Sequence, residues 1–397
     1  MTGTIPPPAV KPIDVAALRA AEWPWMLTGE TTYLNNASLG PIPLRAVRAL
    51  DAFTRLRHEP QRITVPYQFS VLAKARELAA RLVGGSPDEV ALMVNTTYGV
   101  NVAARCLPLR PGDLVLSVDR EFPANVYPWM ALEAGGIEYR RLPCVDELPD
   151  EAALLDAIAG APRLRVVTVS WASFSSGAVV DLARIGAACR ARGGVTFVVD
   201  AIQALGVAPL DVNACHVDIL ACGGQKWLLS PWGTGFVWMR RELVRSLAPN
   251  PVGWMAPTGT DDFTRMLDYH LGWRDDARRF EVISLPFQDF AGFNEGVGLL
   301  LELGIDAVHA HVAGILDAAI AVARDRGLRL VTPAEPSRRA GILAIVPAGD
   351  ARAASRKLLA AGYTHTVREG AVRLSPHCFS DPAEVCRAVE MLAAPSS

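Results

Sequence analysis

From about residue 87 onward, short apolar runs rich in β-branched residues alternate with stretches whose apolar residues recur at helical spacing. No other feature narrows the fold as much. Strands are expected over residues 89–94, 113–118, 165–170 and 195–200, with helices over 98–106, 124–134 and 181–192 between them. Strands that are apolar along their whole length must be covered on both faces. Linked through helices, they form a mostly parallel sheet packed between helical layers, an α/β architecture. Sheets of this kind bind ligands beyond the carboxyl ends of their strands, so the residues that follow each strand carry the functional expectation.

The last third reads differently. Two long helices, over 287–303 and 305–326, precede a small strand-rich set at 342–346 and 372–374, with a helix over 351–361 between those strands and another over 382–392 after them. The expected division is a large ligand-binding domain over 25–290 and a smaller α+β domain over 291–397 joined by residues 1–24.

Composition limits the function. Apolar residues make up 51% of the 397 and the formal net charge is −2, so a sizeable core is expected and a basic footprint for nucleic acid is not. The apolar runs fall short of the roughly 18 to 20 residues of a membrane span. The start, Met1-Thr-Gly-Thr-Ile-Pro-Pro-Pro8, lacks the charged and apolar regions of a secretory peptide, which makes the cytoplasm the expected location. The seven cysteines are scattered without a Cys-x-x-Cys pair, and His309 and His311 stand two apart, so neither a disulfide framework nor a metal site is expected.

Lysine is scarce: only Lys11, Lys74, Lys226 and Lys357 occur. Lys11 lies in the proline-rich start, and Lys74 and Lys357 fall on polar helix faces, where solvation is expected. Lys226 is set in Cys222-Gly-Gly-Gln-Lys-Trp-Leu-Leu-Ser-Pro-Trp-Gly-Thr-Gly235, directly after an apolar segment. Partial desolvation among Trp227, Leu228 and Trp232 would lower its pKa and free its amine as a nucleophile or base. Asp200 ends a buried strand, with Gln203 three residues on, and a carboxylate there can keep a pyridinium nitrogen protonated. In Val94-Asn-Thr-Thr-Tyr-Gly-Val-Asn101 a strand gives way to a helix N-terminus, where free N–H groups and the hydroxyl of Thr96 or Thr97 suit a phosphate.

These segments, with Tyr33-Leu-Asn-Asn-Ala-Ser38, Arg120-Glu-Phe-Pro-Ala-Asn-Val-Tyr-Pro-Trp129, Arg279-Phe-Glu281 and Val372-Arg-Leu-Ser-Pro-His377, resemble in order the class V aminotransferase group of fold type I pyridoxal phosphate enzymes. The chain is most similar to the isopenicillin N epimerase-like branch, related to cysteine desulfurases and kynureninases. The resemblance implies pyridoxal 5'-phosphate as cofactor and a homodimer with active sites at the interface. It implies that Lys226 forms a Schiff base with the cofactor, Asp200 meets the pyridinium and Gln203 the ring oxygen. It further implies that Phe122 stacks on the ring, and that Thr97, the Tyr98 amide, Gln225 and, across the interface, Ser284 hold the phosphate. Arg373 would clamp the α-carboxylate of a small amino acid or amino-acid conjugate, with Asn36 and Trp171 lining the pocket.

The branches implied are lyase or epimerase-like chemistry, aminotransfer as the runner-up, and a cofactor-binding homologue without turnover. Desulfurases place histidines where Phe122 and Gln225 stand here and carry a nucleophilic cysteine ahead of the arginine, whereas residues 362–372 contain none. Cys378 and Cys386 come after it. His365 and His377 read as structural or solvated, and the tryptophans as core or interface residues, with Trp254 near the pocket edge.

Overall fold

The computed structural model describes residues 11–393, so the proline-rich opening and its expected lack of a secretory signal lie outside the described residues. The chain begins with helix α1 (Val15–Glu22), whose N-cap Asp14 accepts from the Ala17 N–H. Strand β1 (Thr32–Tyr33) and helices α2 (Leu44–His58) and α3 (Val65–Val83) follow. The sheet region runs β2 (Val90–Leu92), α4 (Thr96–Cys106), β3 (Leu114–Val118), α5 (Tyr127–Met130), β4 (Glu138–Leu142), α6 (Glu151–Gly160), β5 (Leu164–Ser170), α7 (Leu182–Arg192), β6 (Thr196–Asp200), β7 (Ile219–Gly223), β8 (Gly235–Met239) and α8 (Arg241–Ser246). The remainder is α9 (Phe287–Leu303), α10 (Ile305–Asp325), β9 (Arg329–Leu330), β10 (Leu343–Val346), α11 (Ala351–Ala360), β11 (Tyr363–Thr364), β12 (Thr366–Arg368), β13 (Ala371–Leu374) and α12 (Pro382–Ala393).

Seven strands form the central sheet in the order β2-β8-β7-β6-β5-β3-β4, parallel except for β8, which runs against both its neighbours. Strands β3, β6, β7 and β8 consist largely of buried apolar residues, as a sheet covered on both sides requires. The expected alternation is therefore present, with one exception. Residues 124–134 do not form a single helix but a 3₁₀ turn at Pro123–Asn125, the single turn α5 and another 3₁₀ turn at Glu133–Gly135. Pro123 and Pro128 each remove a backbone donor, and Gly136 turns the chain away at φ 82°.

A second sheet, antiparallel in the order β12-β13-β10-β9, comes from the last third. The amino-terminal region is tied to it: β1 pairs with β11, Asn35 bridges to Ser375, and Arg19 donates to both carboxylate oxygens of Glu384. The expected boundary near residue 290 falls inside α9, which packs on α2 and α3.

Helix α10 is long and apolar enough by composition to cross a membrane. Its face of Val308, Val312, Ile315, Leu316 and Ala319 is buried, with α12 and α9 packed against the helix, while Asp306, His309, Asp317 and Arg324 occupy its other sides. That is the pattern of an amphipathic helix on a core.

Candidate active site

Five of the chemistry-bearing segments leave one edge of the central sheet, and Arg373 comes from β13 of the second sheet. Strands β2, β3, β5, β6 and β7 share one direction, so Asn95, Glu121, Ser170, Asp200 and the loop after Gly223 all lie at or beyond carboxyl ends.

The loop carrying Lys226 is fixed from three sides. The Gly40 N–H donates to the Gln225 carbonyl at 2.8 Å, and a Cβ on Gly40 would lie 2.0 Å from the Lys226 carbonyl oxygen, so only glycine fits. The Leu229 N–H donates to the Lys226 carbonyl. His377 closes the third side: its Nδ1 accepts from the Cys378 N–H at 2.7 Å, leaving Nε2–H to donate to the Trp227 carbonyl at 3.0 Å. Burial brings the His377 pKa down to about 4, so this imidazole stays neutral and structural, as the sequence suggests. His365 is likewise held, between the Tyr363 carbonyl and the Ser355 hydroxyl.

The Lys226 amine sits 5.4 Å from the centroid of the Phe122 ring. Burial lowers its pKa to about 8; Asp200 opposes that shift, and Arg373 and Arg368 reinforce it. A substantial fraction of the amine is therefore neutral near physiological pH. The other three lysines are exposed, and Lys74 pairs with Glu77 at 3.1 Å on the surface.

Asp200 is 2% exposed and accepts one hydrogen bond, from the Ile202 N–H at 3.0 Å. Burial pushes its pKa up to about 6, against the pull of that N–H and of Lys226. A cationic partner at its free oxygen would reverse the shift. Gln203 donates through Nε2 to the Ala37 carbonyl at 3.1 Å and accepts from Trp227 Nε1 at 3.0 Å. Its amide thus braces the lysine loop against the amino-terminal segment, which leaves one hydrogen for the expected ring oxygen.

At the start of α4 the two threonines separate in role. Thr96 is buried and its hydroxyl accepts from the Gly223 N–H at 2.8 Å, holding β7 in place. Thr97 is exposed and its hydroxyl is open. The Tyr98 amide, expected as a phosphate ligand, donates instead to Oδ1 of the N-cap Asn95 at 2.8 Å, because an asparagine at this position satisfies the orphan amide itself.

Arg373 is 1% exposed and has no carboxylate partner among the described residues. Its Nη1 donates to the Phe174 carbonyl at 2.6 Å, its Nη2 to the Ser38 hydroxyl at 2.7 Å, and its Nε to nothing. Burial, with Arg368 nearby, brings its pKa down to about 9. Arg368 stands two residues from Thr366, the cross-strand neighbour of Arg373, and donates to the Thr366 hydroxyl at 2.9 Å, so both arginines share one face of the β12–β13 ladder. Asn36 is fully buried, donates to the Ser375 carbonyl at 2.7 Å and leaves Oδ1 without a partner. These open positions suit a ligand that brings an anionic group and polar atoms of its own.

Three expected residues fall elsewhere or remain apart. Trp171 is buried and lines a separate cavity of about 990 Å³, bordered by Asp181, Pro209 and Arg338 and by none of Lys226, Asp200 or Arg373. Ser284 is exposed just before α9, and Gln225 is half-buried, joined to Gly40 through its backbone alone. Sequence reasoning passed over Ser38, Arg368 and Glu121. For Glu121 the signal was a carboxylate immediately after an apolar strand and before Phe122. Burial pushes its pKa up to about 7, opposed by hydrogen bonds from Ser170.

The chain is similar to known proteins over most of its length. An isopenicillin N epimerase from Streptomyces clavuligerus is 30% identical over 394 residues, covering 95% of this chain and 98% of that protein. A probable cysteine desulfurase from Methanothermobacter thermautotrophicus is 29% identical over 294 residues, 72% of this chain and 70% of its own. A solved structure of a cystine C–S lyase in complex with cysteine persulfide superposes with a TM-score of 0.82 at 25% identity, covering 91% of this chain and 97% of that one. The model of the class-V aminotransferase family matches residues 32–388. With nearly the whole sheet and both site-bearing ends inside that match, the chain belongs to the class-V aminotransferase family.

Proposed function

We propose that this chain transforms a small amino acid or amino-acid conjugate by removing its α-proton, with C–S bond cleavage or epimerase-like chemistry as the outcome. The cofactor of the family is pyridoxal 5'-phosphate, which when bound supplies an electron sink for negative charge at the substrate α-carbon. The residues present fit it: a depressed lysine amine, a buried carboxylate with an open oxygen, an exposed aromatic ring and a free threonine hydroxyl face one sheet edge.

The carrying observation is the Arg373 guanidinium, sealed from solvent and without a carboxylate partner among the described residues. A bound substrate carboxylate supplies the missing charge and fixes the α-carbon. Lys226 Nζ would hold the cofactor, and as a free amine would take the α-proton. Asp200 would keep the pyridine nitrogen protonated, Phe122 would lie against the ring, and Thr97 would hold the phosphate.

The relatives named epimerase and C–S lyase support the branch. A route through an enzyme persulfide finds no support in Cys378, which is fully buried and whose pKa burial pushes far up. Pairing of two copies is supported by Leu267, Tyr269 and Leu271, 79%, 83% and 72% exposed in the segment leading to Ser284. Seven free cysteines, four of them buried, support a reducing, cytoplasmic setting.

The test is to incubate the cofactor-loaded protein with a panel of amino acids including a cysteine S-conjugate. Pyruvate indicates elimination, the inverted amino acid epimerisation, and the amine form of the cofactor aminotransfer. Inactivity across the panel with the cofactor bound would favour a homologue without turnover.

A further inference from the structure

We infer that Glu121 is a positioning residue: by gripping the carboxyl end of β5 it holds the loop that presents Phe122 to the site. This rests on reading Phe122 as the residue that covers the cofactor ring. The Ser170 N–H donates to Glu121 Oε1 at 2.6 Å, and the Ser170 hydroxyl closes on Oε2, so both oxygens of one carboxylate are spent on a single strand-end residue. Ser170 is in register with Asp200 on the neighbouring strand. The grip is therefore fixed to the strand end adjacent to the pyridinium partner.

Phe122 needs such a hold. Phe122 is 41% exposed and its one aromatic neighbour among the described residues is Phe174, edge to face at 5.3 Å, so packing alone leaves it loosely determined. The residue on the other side of Glu121, Arg120, adopts the left-handed region at φ 61°, a conformation a non-glycine residue keeps only when its surroundings enforce it. Glu121 lies between the strained residue and the exposed ring. A second tie follows at Asn125, whose Oδ1 accepts from the Thr168 hydroxyl at 2.7 Å and Trp129 Nε1 at 3.2 Å. Thr168 and Ser170 alternate along β5, so the loop is fastened to one strand at two points with Phe122 carried beside one of them. Phe174 links the arrangement onward, since its carbonyl receives Arg373.

A carboxylate that works by position is replaceable by an amide, whose oxygen accepts from the Ser170 N–H while its NH₂ donates to the hydroxyl. The experiment measures affinity for pyridoxal phosphate and the visible circular dichroism of the bound cofactor, neither of which requires turnover. Glu121→Ala should weaken binding about tenfold, comparable to loss of a ring stack, and reduce the visible dichroism. Glu121→Gln should stay within about threefold of wild type. In a double-mutant cycle, Glu121→Ala should add less than about twofold once Phe122→Ala is present, because its effect passes through that ring.

Ser170→Ala, which removes only the hydroxyl half of the grip, should show the same dichroic change in smaller measure, and it serves if Glu121→Ala fails to fold. Wild-type affinity and dichroism in both alanine variants, full additivity in the cycle, or a Gln variant as impaired as Ala would each overturn the inference. A wild-type protein that binds no cofactor overturns the functional reading as well; a cofactor-binding wild type with an indifferent Glu121 overturns this inference alone.

Discussion

Two arginines in this molecule are almost equally hidden and have opposite surroundings. Arg76, 8% exposed on α3, donates through Nε and Nη2 to the two oxygens of Glu281 at 2.8 and 2.6 Å, and Glu281 also accepts from the Leu92 N–H at 2.9 Å. Its charge is balanced inside the chain, and the pair ties α3, β2 and the segment ahead of Ser284 together. Arg373, 1% exposed on β13, faces two neutral oxygens, has a second arginine beside it, and lacks a carboxylate among the described residues. The fold bears the desolvation of that cation without offsetting it. A buried charge left unbalanced next to a depressed lysine is the mark of a site waiting for an anion, whereas the balanced one is architecture.

The largest test of this contrast falls on the lysine beside the unbalanced charge. Lys226→Ala should lower turnover by about four orders of magnitude or more, since no other amine is placed to replace it; steady-state kinetics on the substrate found in the panel will measure this. Arg76→Ala should destabilise the fold by about 3–5 kcal/mol, because Glu281 is left charged and buried, with urea unfolding as the measurement. Arg373→Ala should leave the unfolding midpoint unchanged or raised and reduce kcat/KM by about 100- to 1000-fold through the lost carboxylate clamp. If Arg373→Ala proved as destabilising as Arg76→Ala, the contrast would fail.

A gentler probe is pH. With Lys226 held near 8, the neutral amine decreases about tenfold for each unit below that value. The rate at which cofactor-free protein captures pyridoxal phosphate should therefore rise with pH up to about 8 and level off above it. A rise continuing to the ordinary lysine range would show that burial does not depress the amine. Smallest of all, Lys74→Ala should change stability by less than about 0.5 kcal/mol, because its pair with Glu77 is solvated.

Much of this was legible in the chain. The apolar strands announced the sheet, and glycines around Lys226 with Asp200 closing the neighbouring strand marked the candidate edge. Arg373 was another matter: its sequence setting is that of any strand arginine, and only the resemblance singled it out. What sets it apart is a missing carboxylate partner among the described residues, which is a three-dimensional fact. The surroundings of the Tyr98 amide and of Trp171 were not legible, for related reasons. Whether an N-terminal amide is free depends on the rotamer of Asn95, and whether an indole faces a lysine depends on how the chain turns after Ser170. Glu121 was passed over because its meaning lies in Ser170, 49 residues away.

Of the four lysines, only Lys226 is half-buried beside Asp200 and Arg373. Incubating the protein with pyridoxal phosphate, reducing with borohydride and mapping the labelled peptide by mass spectrometry tests its role most directly. The label should fall on Lys226 and disappear in Lys226→Ala. A label on Lys11, Lys74 or Lys357, or none at all, would contradict it.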